Sequence, residues 1–398
     1  MAFQNNTASR YGIAKCGSFS FITVPGKLLA PVTLLSSSMN FYKAAVRPFL
    51  FQLTADKAHD LTLDISRFAS GRRWITKAVE KVYSRQHPEL CQKIWGLTFK
   101  NPIGVAAGFD KNGHTPHLME ALGFGFIEIG SITANASTGN PLPRSWRLPE
   151  DLSLINRLGL NNDGAKTIIK RIIQSRPDFP LGVNIAKTHN PALTGQDALD
   201  DYKFSHNLAK PVADYITLNI SCPNTEDGKT FEDPELLQRL LAHLEIGKDA
   251  TDPPVLVKFS VDLSRENLKE LIDVAESFAV SGYVATNTSS LRDNLKTSVK
   301  TVKQIGRGGL SGKAISDKST AMISAISEFT NGEKTIMGVG GVFTAADAIE
   351  KIKAGADLLQ IYTGMVYEGP SIAKSINKDL AAYLNEHDLD HIYQVKMA

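Results

Sequence analysis

The 398-residue chain contains few cysteines, and they are widely separated. The three are Cys16, Cys91 and Cys222, which form no CxxC pair and lie in no cluster with histidine. This spacing argues against a disulfide framework, a zinc site and an iron–sulfur cluster ligated by the chain itself. Such cysteine usage fits a reducing compartment best.

Long apolar runs and a strong charge imbalance are also missing. The most apolar stretch, residues 19–35, is interrupted by Pro25, Gly26, Lys27 and Pro31, and is too short to cross a bilayer, which takes roughly 20 apolar residues. The net charge of +3 is too small to indicate a nucleic-acid partner. The composition, 42% hydrophobic and 21% charged, is that of a globular protein, which could still lie on a membrane surface.

Acidic side chains are absent before Asp56, whereas five basic ones precede it. Residues 1–38 are rich in Ser, Thr and Asn and have no clear period. We favour a disordered tail, or one added by a start upstream of Met39. A transit peptide, which is also basic and poor in acidic residues, is the alternative.

Residues 39–85 are expected to form a small helical extension. Two short amphipathic helices are predicted, at 41–53 and 55–69, and in the second Leu61, Ile65 and Phe68 share a face with Ala58. The first is apolar and basic, and such helices can lie in a membrane interface. Simple packing against the main domain is the other interpretation.

From residue 96 short apolar runs alternate with amphipathic helical stretches, eight of each. Near-continuous apolar strands between helices are typical of a parallel sheet. Eight such units predict an α/β fold, a closed (β/α)8 TIM barrel over residues 86–398, with residues 95–100 as a strand that plugs its bottom. The strands are expected at 103–107, 126–130, 181–186, 215–220, 255–260, 283–287, 335–339 and 358–362.

Polar side chains gather where these strands end, which is where such barrels carry their active sites. Lys111 follows the first strand and Lys258 lies within the fifth. Because burying an ammonium is costly without an anion, both predict an anionic or electron-rich ligand. Four asparagines supply donors and acceptors suited to a planar ligand with amide and carbonyl groups. They are Asn156, Asn219, Asn224 and Asn287.

Glycine-rich segments surround the last two strands. They are Gly308–Gly312, Gly338–Gly341 and Tyr362-Thr363-Gly364. Glycines let backbone N–H groups approach a phosphate, and the loops after strands seven and eight form the usual phosphate site of this fold. A phosphate-bearing cofactor or substrate is therefore expected.

Cys222 is the candidate reactive group, since it lies in a polar loop between Asn219 and Asn224. A thiol whose pKa is lowered by nearby lysines can accept a proton. The alternative is an inert buried cysteine.

Seven segments carry a family resemblance. They are Ala106–Gly113 (AAGFDKNG), Phe124–Ser131 (FGFIEIGS), Asn156–Leu160 (NRLGL), Asn219–Thr225 (NISCPNT), Thr286–Thr288 (TNT), Gly308–Gly312 (GGLSG) and Gly338–Gly341 (GVGG). In combination they resemble the class 2, quinone-dependent family of dihydroorotate dehydrogenases, over residues 41 to 383 or so. The resemblance implies FMN-dependent oxidation of (S)-dihydroorotate to orotate, in pyrimidine biosynthesis, with ubiquinone or menaquinone as acceptor.

The resemblance also implies residue roles. FMN would contact Ala107, Gly108, Lys111, Ser131, Asn184, Asn219, Lys258, Thr286, Gly312, Gly341, Tyr362 and Thr363. Dihydroorotate would be held by Lys111, Asn156, Arg157, Leu158, Gly159, Leu160, Asn219, Asn224, Asn287 and Thr288. Cys222 would take the C5 proton while C6 delivers hydride to the flavin, and Lys258 would stabilise the reduced, anionic flavin. The extension would form a quinone tunnel that ends near His59, Arg147 and Tyr362.

Three features depart from the class 2 pattern. Cys222 stands where serine is usual, Leu160 where phenylalanine is usual, and Glu226–Phe231 is atypical. The cysteine is a class 1 feature, so a class 1-like dihydroorotate or dihydropyrimidine oxidoreductase that uses fumarate or NAD is the first alternative. A phosphate-binding isomerase or lyase with a Schiff-base lysine is the second, and a non-catalytic scaffold the third.

The same resemblance implies a monomeric, peripheral membrane protein. It would lie on the cytoplasmic face of a bacterial plasma membrane or on the mitochondrial inner membrane, with no metal and no nucleic acid.

Overall fold

A computed structural model describes residues 41–221 and 231–397. Its strands are β1 (Gln92–Ile94), β2 (Leu97–Phe99), β3 (Ile103–Val105), β4 (Phe126–Ile132), β5 (Ser145–Leu148), β6 (Ser153–Asn156), β7 (Leu181–Ile185), β8 (Tyr215–Asn219), β9 (Val255–Phe259), β10 (Gly282–Ala285), β11 (Gly309–Gly312), β12 (Thr335–Val339) and β13 (Leu358–Ile361).

The α-helices follow the same order. They are α1 (Arg47–Gln52), α2 (Ala55–Ser70), α3 (Arg73–Tyr83), α4 (Pro116–Ala121), α5 (Ala165–Gln174), α6 (Gly195–Ala209), α7 (Pro234–His243), α8 (Arg265–Glu276), α9 (Val299–Ile305), α10 (Ser316–Phe329), α11 (Ala345–Lys353), α12 (Thr363–Glu368) and α13 (Ile372–Glu386).

Eight of the strands close into a parallel barrel, in the order β3, β4, β7, β8, β9, β10, β12, β13 and back to β3. Every residue of β4, β7, β8 and β9 is buried, as expected of strands covered by helices outside and by side chains inside. The predicted (β/α)8 barrel is confirmed, and its strands match the predicted runs to within two residues at each end.

An antiparallel hairpin of β1 and β2 closes the bottom of the barrel. Its Ile94 and Phe99 pack against Phe126, Tyr215 and other inward-facing side chains of the barrel strands. The predicted plug at residues 95–100 is therefore confirmed, with a second strand added to it.

A second sheet lies at the opposite end of the barrel and was not predicted. In it β6 pairs antiparallel with both β5 and β11. The pairing places Asn156 beside Gly309, so that a segment predicted as a glycine-rich loop is partly a strand.

The N-terminal extension has one more helix than predicted. A π-helix (Tyr42–Val46) leads into α1, α2 follows, and α3 is additional. The extension docks on α12 through its first residues. The Tyr42 hydroxyl donates to the Val366 carbonyl over 2.7 Å, and Lys43 pairs with Glu368 at 2.5 Å. Within the described ranges, no helix has the length and apolarity that crossing a membrane requires.

Candidate functional site

The site is an open cleft of about 1040 Å³ at the carboxyl ends of the barrel strands. Strands from all around the barrel contribute to it, because their C-terminal ends converge at this edge. Of the residues predicted from sequence, its lining includes Ala107, Gly108, Lys111, Ser131, Asn156, Leu158, Gly159, Leu160, Asn219, Lys258, Thr286, Asn287, Thr288, Gly312, Gly341, Tyr362 and Thr363.

Lys258 brings a positive charge to the cleft from the interior of β9. It is 5% exposed, and no acceptor in the described part of the chain is within hydrogen-bonding distance of its ammonium. Burial lowers the pKa of Lys258, an effect that the carboxylate of Glu128 partly opposes. A buried ammonium that has no acceptor of its own suits an anionic or electron-rich ligand.

Lys111 is the second cation, and its ammonium donates to the Gly108 carbonyl over 2.8 Å. Burial lowers the pKa of Lys111 to about 8, and the nearby Arg144 guanidinium contributes to the shift. The side chain lines both the main cleft and a smaller cavity next to it. It therefore lies where two compartments meet.

Amide side chains form a connected layer beneath the cleft. Asn287 Nδ2 donates to Asn219 Oδ1 over 3.0 Å, and Asn219 Nδ2 donates to Ser131 Oγ over 3.0 Å. Asn156, on the other side, donates to the Gly309 carbonyl over 3.3 Å. The remaining donors and acceptors of these groups can meet a planar ligand with several N–H and C=O groups.

Glycines form one wall of the cleft. Gly312 and Gly341 have φ values of +97° and +78°, which side chains rarely adopt, and a Cβ on Gly341 would overlap Ser316. The wall adjoins the first turns of α10 and α12, and the first turn of a helix generally leaves some backbone N–H groups without an i−4 acceptor. Such a wall can accept a phosphate.

Two residues proposed from the sequence lie elsewhere. Arg157 points away, since its guanidinium donates to the Ile305 and Arg307 carbonyls, at 2.6 and 2.9 Å. Asn184 is fully buried below the cleft and contacts Ser131 rather than the open space.

Two further proposed residues, Cys222 and Asn224, lie outside the described residues. Their roles stay predictions from sequence. Ser221, the last described residue before them, accepts at its carbonyl from Asn287 over 2.5 Å. The polar loop therefore begins beside the asparagine layer.

A smaller cavity of about 460 Å³ lies between α2 and the barrel mouth. His59 lines it, and its ring centroid is 6.1 Å from that of Tyr362, which lines the main cleft. Burial lowers the pKa of His59 to about 3, with contributions from Lys111 and Arg144. Arg147 lines neither cavity. It donates to the Leu50 carbonyl over 2.9 Å at the end of α1.

Three buried polar residues at the floor of the cleft or below it were not selected from the sequence. They are Glu128, Thr217 and Gln360, each buried inside a barrel strand, and of the three only Gln360 lines the cleft. The signal was present, because a charged side chain within FIEIG is as unusual as the lysine within VLVKF that was selected.

Comparison with known proteins gives a consistent picture. A family model described as dihydroorotate dehydrogenase matches residues 89–384. A Cyanothece protein named dihydroorotate dehydrogenase (quinone) is 38% identical over 88% of this chain and 98% of its own length. One from Crocosphaera subtropica with the same name is 41% identical over 83% of this chain and 88% of its own length.

Solved structures are similar as well. A crystal structure of DHODH from Eimeria tenella in complex with ferulenol has a TM-score of 0.74 and 31% identity. The match covers 89% of this chain and 97% of the Eimeria chain.

Proposed function

This chain belongs to the dihydroorotate dehydrogenase family, and from that premise we propose that it oxidises (S)-dihydroorotate to orotate with FMN as cofactor and a membrane quinone as electron acceptor. The observation that carries the proposal is the buried ammonium of Lys258, which has no acceptor among the described residues and faces a cleft lined by amide side chains and glycines.

The residues present fit FMN. The glycine wall of Gly312 and Gly341, with Thr363 beside it, would hold the phosphate. Ala107, Gly108, Ser131, Thr286 and Tyr362 would surround the ring system, and Lys258 would counter the negative charge that develops on it. When bound, FMN supplies the hydride acceptor and passes the electrons on to the quinone.

Dihydroorotate would bind against the asparagine layer. Asn156, Asn219 and Asn287 offer donors and acceptors for its amide and carbonyl groups, and Lys111 offers a cation for its carboxylate. Cys222 follows Ser221, whose carbonyl already contacts Asn287, and would remove the proton at C5. Hydride leaves C6, so the substrate loses two hydrogens and becomes orotate.

The quinone would enter through the smaller cavity. His59 and Tyr362 lie in ring contact between that cavity and the cleft, and Phe109 lies 5.9 Å from His59. Residues 39–85 would then act as the quinone segment and residues 86–398 as the catalytic domain. Arg147 would serve this path indirectly, by holding the end of α1.

The extension would also hold the protein to a membrane, as a peripheral monomer. Leu61, Ile65 and Phe68, predicted as one face of α2, are 37%, 60% and 55% exposed, and Trp74 on α3 is 72% exposed. Large exposed apolar patches on soluble monomers usually mark an interaction surface. Basic side chains nearby, such as Arg67 and Arg72, suit anionic lipid headgroups.

The test is oxidation of dihydroorotate by the purified protein with decylubiquinone, fumarate and NAD offered separately. We expect a yellow protein that turns over with the quinone alone. Turnover with fumarate or NAD would support the class 1-like alternative instead. A folded protein that takes up no FMN would contradict the proposal as a whole.

A further inference from the structure

A carboxylate lies inside the barrel, directly below the cleft. Glu128 belongs to β4, is 0% exposed and is flanked by the buried Ile127 and Ile129. Burying a charge costs much free energy unless it is paired and hydrogen-bonded. The partners of this carboxylate therefore indicate what it does.

Three side chains donate hydrogen bonds to Glu128. Asn184 Nδ2 donates to Oε1 over 2.8 Å, while Thr217 Oγ1 and Gln360 Nε2 donate to Oε2 over 2.9 and 2.8 Å. An ionised carboxylate can only accept, so each partner must turn its donor towards it. Asn184 in particular has no freedom to exchange its amide oxygen and nitrogen.

The donor-to-acceptor direction set at Glu128 continues through a series of hydrogen bonds that leads from Asn184 towards the cleft. Asn184 presents Oδ1 to Ser131, whose hydroxyl donates to it over 2.5 Å. Ser131 Oγ then accepts from Asn219 Nδ2, and Asn219 Oδ1 accepts from Asn287 Nδ2, each over 3.0 Å. In each of these hydrogen bonds the donor belongs to the residue nearer the cleft, and the acceptor belongs to the residue nearer the buried carboxylate.

The upper end of this series is fixed too. Asn287 Oδ1 accepts from the Thr288 N–H over 2.9 Å, and Asn287 Nδ2 also donates to the Ser221 carbonyl over 2.5 Å. The upper end of the series therefore cannot adapt if the lower end, the Asn184 amide, exchanges its oxygen and nitrogen. Such an exchange would make two donors face each other within the series, or it would leave the Ser131 hydroxyl without its acceptor.

We propose that Glu128 is a positioning residue for the reaction: its buried carboxylate sets the hydrogen-bond direction of Asn184 and Ser131, and through them it helps to fix which amide atoms Asn219 presents beside Asn287. The inference rests on the proposed function, because it places both asparagines against dihydroorotate. Glu128 itself does not line the cleft, so it would act through Asn184 and Ser131.

The first test is Glu128→Gln, which preserves shape. The Oε2 position receives two donors and the Oε1 position one, so the glutamine keeps its oxygen at the former and turns its nitrogen towards Asn184. We expect the Kd of the FMN-loaded enzyme for orotate, measured by titrating the flavin absorbance, to rise about tenfold, as for one lost buried hydrogen bond.

A double variant restores the direction of the series together with the negative charge that Glu128→Gln removes. In Glu128→Gln/Asn184→Asp the introduced glutamine donates to the introduced aspartate, which can still accept from Ser131. We expect the Kd for orotate to return to within about threefold of the wild-type value. An affinity loss that the double variant does not reverse would overturn the proposal.

Thr217→Val is the matched control, since it removes a donor at Oε2 without touching the series that leads to Asn219. This substitution should lower the melting temperature, and the Kd for orotate should stay within about twofold of the wild-type value. An increase in Kd as large as that of Glu128→Gln would mean that any loss of packing around Glu128 suffices, and would also overturn the proposal.

A double-mutant cycle keeps the test independent of the proposed function. Glu128→Gln should destabilise the wild type in urea melts by clearly more than it destabilises Ser131→Ala, in which the series is already cut. If the wild type binds no orotate, the proposed function fails, and this cycle still tests Glu128. Additive effects in the cycle would overturn the positioning role.

Discussion

The ring of His59 lies 6.1 Å from the ring of Tyr362, centroid to centroid, and this contact joins the N-terminal extension to the cleft. His59 belongs to α2 and lines the smaller cavity, whereas Tyr362 follows β13 and lines the main one. His59 Nε2 is buried and has no hydrogen-bond partner within the described residues. A buried polar atom without a partner is costly, so a ligand at this position would gain from satisfying it.

Replacing His59 by alanine should therefore affect only one half of the reaction. We expect the quinone-dependent oxidation of the flavin to slow about tenfold, as for one lost hydrogen bond, and its reduction by dihydroorotate to change by less than about twofold. Anaerobic stopped-flow measurement of flavin absorbance separates the two. His387→Ala, at an exposed site, is the control. Equal slowing of both halves would contradict a role confined to the quinone.

The same histidine should make the protein sensitive to acid. Burial lowers the pKa of His59 to about 3, so between about pH 3 and 6.5 the unfolded chain binds a proton that the folded chain does not. Stability from this site is lost as pH falls below 6.5, by at most about 1.4 kcal/mol per pH unit. His59→Leu should thus lose less free energy of unfolding than the wild type between pH 7 and pH 5. Urea melts at the two pH values measure this, and parallel losses would contradict it.

A buried lysine lies behind the glycine wall. Lys351 is 0% exposed, and its ammonium donates to the Ser316 carbonyl over 3.2 Å and to Thr320 Oγ1 over 3.0 Å. Ser316 lies directly against Gly341. Burial lowers the pKa of Lys351 to about 8, so the ammonium is largely charged at neutral pH and adds positive potential where the phosphate would bind.

We expect Lys351→Met to raise the dissociation constant of FMN from the apoprotein about tenfold. The dissociation constant of riboflavin, which has no phosphate, should change by less than about twofold. Quenching of flavin fluorescence gives both dissociation constants. Lys353→Met, an exposed lysine on the same helix, should change neither. An equal loss of affinity for FMN and riboflavin would assign Lys351 to packing rather than to the phosphate.

The sequence was sufficient for the barrel, because its strands are unbroken apolar runs such as Thr335–Val339, whose predicted and observed bounds agree. It was insufficient where local signals are weak. The helix α3 has no capping side chain at its N-terminus, and the strands of the second sheet are only four residues long. Short runs of this kind do not separate from loops by periodicity.

The residues of the site were largely predictable from the sequence, but the direction in which some of their side chains point was not. Lys258 and Asn219 were found because they are polar groups at the ends of apolar strands. Arg157 was placed in the same motif as Asn156, but it points outward, since the antiparallel pairing of β6 sets which side chains face the cleft. That pairing depends on a segment about 150 residues away.

The cysteine at position 222 should set the pH profile. Since the reference pKa of cysteine is about 8.5 and serine ionises far less readily, the pH optimum of kcat should lie lower for the wild type than for Cys222→Ser. Profiles of kcat against pH for the two proteins check this. Coincident profiles would mean that Cys222 is not the base.

The exposed apolar side chains of the extension should govern membrane binding. Burying one large apolar side chain contributes about 1.5–3 kcal/mol, so Ile65→Ser/Phe68→Ser should lower partitioning into anionic phospholipid vesicles by roughly 100-fold or more. Turnover with quinone in vesicles should fall accordingly, whereas turnover with soluble decylubiquinone should persist because the cleft is untouched. Val299→Ser, which removes a 70% exposed side chain on α9, is the matched control. If both proteins sediment with vesicles to the same extent as the wild type, the extension binds no membrane through this face, and its apolar surface needs another partner.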